Sequence, residues 1–441
     1  MVMPQPIRRD KGVVLRDVLL AMGGRYAIAA LGGIDDYTRK VLYMLLSCGS
    51  GYFGLNFLEC ESCETRMSVA RTCHSRHCPS CVGKAGQEWA ESIESKLLPT
   101  AYFHVIFTLP SGPLRTLMRS NQTRMYDLLL KASKDTLLGL FAEQHPIGGV
   151  PSLLQVLHTT NQQLGFHPHV HSLVSGGCYN KANDVWVPCK NPAFLFPYQV
   201  VASNFRRRFL AGLWDLYATH QLSLDAPNLE PLRQQDAFEE LLLSLAHIDW
   251  NVELIETFNG PASVVRYLAR YTHRTAISDA RLLSLDGKRL TVAYKDRSRA
   301  AQKSSGNPAG VDKTLTLSVE DFIQRFIQHI LPKGFHRIRR CGLLAPGAKR
   351  TFQAALKAAQ HAVDKGLEPP QPEPDAEDPI IEDPLYKREP SRCPHCNGDQ
   401  LILVASLIRR GPEDFERVEY DRPPRGPPNR DRSASEGAEA G

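Results

Sequence analysis

Two C-x2-C pairs, Cys60 with Cys63 and Cys78 with Cys81, stand fourteen residues apart and constrain this chain more than any other feature. Thiolates at that spacing sit on two tight turns and can offer four sulfurs to one tetrahedral zinc ion. The chain has eleven cysteines. Its first residues, MVMPQPIRRDKG, lack the apolar core of a signal peptide, so a disulfide framework is not expected. We expect Cys60, Cys63, Cys78 and Cys81 to form one closed structural zinc site, with Cys73, His74 and His77 inside the loop as alternative ligands. A closed site of this kind shapes a fold and does no chemistry. Arg66, Arg71 and Arg76 around it suit a DNA-binding module. Cys393 and Cys396 form a third pair with only Cys341 at moderate distance, so a second zinc site there stays open.

A second feature lies in GFHPHVHSLVSGG, residues 165–177. On a strand, side chains alternate faces, so His167, His169, His171 and Leu173 share one face. A preceding strand over 152–158 ends on His158, and antiparallel pairing would bring that imidazole against the others. Three imidazole nitrogens on one face, with coordination positions left open, suit a reactive metal. Gln162 and His167 are the alternatives to His158 as third ligand. Strand rise puts His167 roughly 6.6 Å beyond His169, at the sheet end, where it could touch DNA instead.

RYLARYTHR, residues 266–274, places Tyr267 and Tyr271 four apart on one helical face. With Val264 and Leu268 they also make an ordinary amphipathic stripe, whose usual role is core packing. A phenol beside a metal is, however, a competent nucleophile towards phosphorus. Arg270 and Arg274 flank the tyrosines as phosphate clamps, and Arg206–Arg208, Arg266, Arg337, Arg339 and Arg340 could follow a nucleic-acid backbone or form solvated faces.

Taken in order, the cysteine module, His169-Val170-His171 running into GG, YLARYTHR, and LPKGFHRIRRCGLLA at 331–345 resemble the rolling-circle transposases of the insertion-sequence-91 type, within the HUH endonuclease superfamily. The resemblance implies an α+β fold: an HUH-type nuclease core with a central antiparallel β-sheet flanked by helices, preceded by a small zinc-binding domain. It implies Mg2+ or Mn2+ held by His169, His171 and a third residue, with Tyr267 and Tyr271 attacking single-stranded DNA to form 5′-phosphotyrosine links. It also favours His158 as that third residue. Plasmid replication initiators and relaxases share these residues, but the zinc module and the 331–345 segment favour the transposon type. A non-catalytic zinc-dependent DNA-binding descendant is the rival from another class.

Composition agrees. The net charge is only +6, but the acidic stretch 366–390 masks a remainder with 51 basic against 39 acidic side chains, suited to a polyanion. No apolar run reaches the roughly 18 residues of a membrane span, so a soluble cytoplasmic protein is expected; the resemblance implies a bacterial one, nucleoid-associated when acting. The expected organisation is an N-terminal arm (1–34), the zinc-binding domain (35–98), the catalytic domain (99–345), a helical then Pro-rich acidic linker (346–390), a candidate zinc knuckle (391–408) and a disordered tail (409–441). Oligomeric state is not legible.

Overall fold

The computed structural model describes residues 12–82, 89, 92–93, 96–110, 112–144, 148–189, 191, 194–256, 276–296, 311–367, 392–398, 400–411 and 414–420. The fold is α+β with antiparallel sheets. In chain order the principal described elements are α1 (Leu15–Ala21), α2 (Gly24–Ala30), α3 (Asp36–Leu46), β1 (Gly54–Cys60), β2 (Arg66–Ala70), β3 (Tyr102–Thr108), α4 (Pro113–Ser120) and α5 (Gln122–Gln144). There follow β4 (Ser152–Thr160), β5 (Phe166–Ser175), β6 (Gly177–Asn180), β7 (Val185–Pro188), α6 (Tyr198–Ala218), α7 (Gln235–His247) and β8 (Val252–Glu256). The last are β9 (Leu282–Asp286), β10 (Arg289–Asp296), β11 (Val311–Ser318), α8 (Val319–Ile327), β12 (Ile338–Gly342), α9 (Lys349–Asp364), β13 (Leu401–Arg409) and β14 (Phe415–Glu419).

Two compact units divide these elements. One comprises Ser47–Cys73 and the described part of Lys387–Gly441; the other comprises the described parts of Gly12–Leu46 and His74–Tyr386.

The larger unit is built on a five-stranded sheet, order β12-β4-β5-β3-β8, with every neighbouring pair antiparallel. Its two faces differ because the strand sequences alternate. Val105 and Phe107 of β3, Leu153 and Leu157 of β4, and Val170 and Val174 of β5 join one core with α5 and α6. Phe107 meets Phe205 of α6 edge to face at 4.9 Å between ring centroids. Each such fully buried side chain contributes roughly 1.5–3 kcal/mol. The opposite face is apolar at one end, where Tyr102, Leu154 and Leu173 cluster, and histidine-lined at the other.

Glycines set two junctions around this sheet. Gly342 ends β12 with φ +56°, and a Cβ there would stand 2.0 Å from the Pro151 carbonyl oxygen. Only glycine lets β12 close on β4 at that point. Gly177, just after β5, lies under the Trp186 ring, 2.7 Å from an added Cβ. The two glycines after Ser175 do end the strand, as expected. Gly177 itself opens β6, which pairs with β7 as a short hairpin.

β9, β10 and β11 form a separate antiparallel sheet. The β9–β10 hairpin turns at Asp286 and Gly287, the latter at φ +54°. α8 begins at Ser318, whose side chain accepts a hydrogen bond from the Asp321 amide at 3.0 Å. That is an ordinary N-cap. Val319, Phe322, Ile323 and Phe326 then bury one helical stripe.

The smaller unit is a four-stranded sheet, order β14-β13-β1-β2. Here the structure departs from the expected linear organisation. β13 comes from beyond the acidic linker, yet it is the direct partner of β1, with Cys60 opposite Leu401 and Gly54 opposite Ile408. β14, at Phe415–Glu419, lies within the stretch expected to be disordered from residue 409. Pairing to β13 satisfies its backbone groups, a long-range effect that local composition cannot reveal.

Candidate active site and metal centres

Three strands assemble the candidate active site. In the β4–β5 register His158 stands opposite His169, and in the β3–β5 register Thr108 stands opposite His169 and Ile106 opposite His171. Directly paired residues share a face. His158, His169 and His171 therefore converge, and each offers a ring nitrogen within 4.8 Å of the others. Ring centroids are 4.3 Å apart for His158 and His171, 4.9 Å for His169 and His171, and 5.3 Å for His158 and His169.

Hydrogen bonds fix which nitrogens face the gap. The His167 carbonyl lies 2.7 Å from His169 Nδ1, so Nδ1 carries the proton and Nε2 is left to ligate. His171 Nδ1 lies 2.8 Å from His104 Nε2, a contact from the neighbouring strand β3 that orients the ring. Burial holds His104 and His169 down to about 4, and burial reinforced by neighbouring imidazoles holds His171 well below its ordinary value. All three are neutral at pH 7, the form that metal ligation requires. Three converging imidazole nitrogens, with His169 and His171 held neutral by burial, thus fit a divalent cation.

These rings open onto a cavity of about 300 Å3. His167 lines it but stands outside the trio, its ring centroid 5.3 Å from that of His169. Gln162, the other alternative ligand, lines the wall and is not in the trio either. Among the wall residues with titratable side chains, Glu253 of β8, Arg281 and His329 were not singled out from the sequence. The signal for His104 was present, since AYFHVIFTLP puts His104, Ile106 and Thr108 on one strand face. Glu253 depended on β8 joining the sheet edge beside β3, which no local pattern announces.

Tyr267, Tyr271, Arg270 and Arg274 lie outside the described residues, as does the helix expected over 260–275. The residues bracketing that segment are nevertheless placed: Glu253 on one side and Ala276, Ile277 and Ser278 on the other all line the histidine cavity. Arg281 donates to the Gln162 carbonyl, and Arg325 donates to that of Gln163 at 3.1 Å, so both hold the β4–β5 turn. Arg339 pairs with Asp127 and Arg208 with Glu143 at 3.8 Å.

His329 is a structural group in the cavity wall. Its Nε2 donates to the Leu164 carbonyl at 3.2 Å, while the Thr159 hydroxyl meets Nδ1 at 3.1 Å. Leu164 has φ +61°, a left-handed turn held by this bond. Burial pulls His329 down to about 4. Its stabilising effect is thus fully present above the ordinary histidine value near 6.5 and is lost as pH falls towards 4, by roughly 3 kcal/mol over that window. His329→Phe should cost about 1–3 kcal/mol at pH 8 by stranding the Leu164 carbonyl. It should converge with the parent near pH 4 in urea denaturation of the metal-free chain. A gap that stays constant across pH would contradict this.

The cysteines do not group as expected. Cys60 and Cys63 are joined by Cys393 and Cys396, all four thiols lying within 4.8 Å of one another. Cys78 and Cys81 belong to the larger unit. There they occupy their own turn, in which the Cys81 amide donates to the Cys78 carbonyl at 2.9 Å. Cys60 and Cys63 are therefore not grouped with Cys78 and Cys81, as the fourteen-residue spacing led us to expect. Strand pairing of β1 with β13 carries the distant CPHC to Cys60 and Cys63. His77 is buried and held down to about 3 by burial and by Arg76 and Arg337.

The comparisons bear on this arrangement. A transposase zinc-binding domain of the insertion-sequence-91 type matches residues 23–109, and the transposase family model Y2_Tnp matches residues 153–351. A transposase of Sinorhizobium fredii, y4qJ, is 32% identical over 396 residues, spanning 89% of this chain and 95% of the relative. The chain belongs to the insertion-sequence-91 family of transposases. The transposase for insertion sequence element IS801 of Pseudomonas savastanoi pv. phaseolicola is 28% identical over 387 residues, covering 85% of each chain. No solved structure matches. For this transposase the plasmid-initiator and relaxase readings therefore fall away. Among the described residues no helix is long and apolar enough to cross a membrane.

Proposed function

We propose that this transposase nicks and rejoins single-stranded DNA through 5′-phosphotyrosine intermediates, as an HUH-type nuclease, during rolling-circle-type transposition of its insertion sequence. One observation carries the reading. His158, His169 and His171 converge on a cavity whose wall also holds both flanks of the segment bearing Tyr267 and Tyr271. The family identity supplies a DNA substrate; the site supplies the chemistry.

The three imidazoles would hold Mg2+ or Mn2+, which polarises the scissile phosphoryl group and stabilises the leaving oxygen. The phenol oxygen of Tyr267 or Tyr271 attacks phosphorus, the bond to the 3′-oxygen breaks, and that oxygen leaves as a 3′-hydroxyl after taking a proton. The new phosphotyrosine conserves the energy of the broken phosphodiester. A 3′-hydroxyl can therefore reverse the step on a different strand, and two tyrosines let two DNA ends be held at once. Arg270 and Arg274, next to the tyrosines in sequence, are assigned to the phosphates, and His167 at the cavity rim to the DNA strand. Glu253 faces the same cavity and is placed to receive the phenolic proton, directly or through water.

A defined test uses labelled single-stranded DNA from the element's own termini with Mn2+. The expected products are a fragment with an extendable 3′-hydroxyl and a complementary fragment whose 5′ end is blocked by protein. Chelation should stop the reaction, and the same sequence as a duplex should not be cut. Cleavage that ignores chelator, or that leaves a free 5′-phosphate, would overturn the reading.

A further inference from the structure

We propose that one structural zinc ion is held by Cys60, Cys63, Cys393 and Cys396, so that the zinc-binding domain of this transposase is completed by the segment beyond the acidic linker. The family's zinc-binding model covers residues 23–109 and so, of these four, takes in only Cys60 and Cys63.

The backbone argues for it first. The Cys60 amide donates to the Thr65 carbonyl at 3.0 Å, and the Cys60 carbonyl accepts from the Glu64 amide at 2.8 Å. In the second loop the Cys393 amide donates to the Gly398 carbonyl at 2.7 Å, and the Cys393 carbonyl accepts from the Asn397 amide at 2.8 Å. Each loop turns on one residue at positive φ, Glu64 at +57° and Asn397 at +60°. Asparagine tolerates that conformation; glutamate adopts it at a cost. Two segments more than 300 residues apart thus share one knuckle geometry. No packing requirement demands that coincidence, whereas a tetrahedral ion does.

The sulfur spacing fits the same ion. Cys60 and Cys396 Sγ lie 3.6 Å apart, as do Cys63 and Cys393. Zinc–sulfur bonds of about 2.3 Å place neighbouring sulfurs of a tetrahedron about 3.8 Å apart. A disulfide needs about 2.05 Å. Leu58, Met67, Val69 and Leu401 pack around Cys60, Cys63 and Cys393, and a set of four soft thiolates disfavours hard, oxygen-seeking cations such as Mg2+. Four thiolates leave no open position, so the ion organises structure and does not catalyse.

Three arms test this on the full chain. Zinc content by elemental mass spectrometry should fall by about one equivalent in Cys393→Ser with Cys396→Ser, and should stay at the parental value in Cys341→Ser. Equal zinc in parent and double variant would overturn the proposal. Should the double variant fail to fold, alkylation of the parent chain decides: Cys60, Cys63, Cys393 and Cys396 should be protected together and become reactive together when a chelator removes zinc. Ready alkylation of Cys393 and Cys396 while Cys60 and Cys63 stay protected would contradict it. So would a Cys60–Cys396 or Cys63–Cys393 disulfide in non-reducing peptide maps of the protein as purified, before any zinc is removed. None of these readouts depends on DNA cleavage, so failure here and failure of the nuclease reading are separable.

Discussion

His169→Ala should lower metal-dependent nicking by about 10²- to 10⁴-fold, the loss expected when several kcal/mol of charge stabilisation disappear at roughly 1.4 kcal/mol per tenfold. The reason is geometric. His169 stands opposite His158 on β4, and its Nδ1 is already committed to the His167 carbonyl, which leaves Nε2 for the gap. Nothing else in the described wall offers a nitrogen at that position, since His167 and Gln162 stand outside the group. Stability should change far less, because the variant strands one backbone carbonyl, at about 1–3 kcal/mol. His104 separates positioning from ligation in the same assay. It touches His171 and not the cavity centre, so His104→Ala should weaken cation binding about 10- to 100-fold. Excess Mn2+ should then restore turnover for His104→Ala and not for His169→Ala. Equal rescue of both would remove the distinction between ligand and orienting residue.

How far the sequence led can be argued from particular residues. Period-two alternation in FHPHVHSLV was enough to place His169 and His171 on one face, because a strand's faces are a local property. His158 required one further step, the antiparallel pairing of adjacent strands, and short connections make that step safe. Glu253 and the CPHC segment required knowing which strands become neighbours across long stretches of chain. β8 joins β3 at the sheet edge, and β13 joins β1 from beyond the acidic linker. Such pairings are chosen by total burial and backbone hydrogen bonding, which no window of sequence contains. The zinc quartet failed for the same reason. Spacing identifies a C-x2-C turn, but tertiary pairing selects which two turns come together. β14, expected to lack order, is likewise a strand only because β13 offers it an edge.

Tyr267 and Tyr271 carry the central claim, and their loss should be the most severe. With both replaced by phenylalanine no oxygen remains to take the phosphoryl group, and the covalent adduct should vanish altogether. The single variants should separate first-strand from second-strand cleavage. His158, His169 and His171, the proposed ligands, stay intact in these variants, so cation binding should be unchanged. The decisive measurement is mass spectrometry of the protease-digested adduct formed with single-stranded terminal DNA and Mn2+. The account predicts a nucleotide linked through its 5′-phosphate to a peptide containing Tyr267 or Tyr271, and no adduct in the double phenylalanine variant. A linkage to any other residue, or an adduct that survives both substitutions, would contradict it.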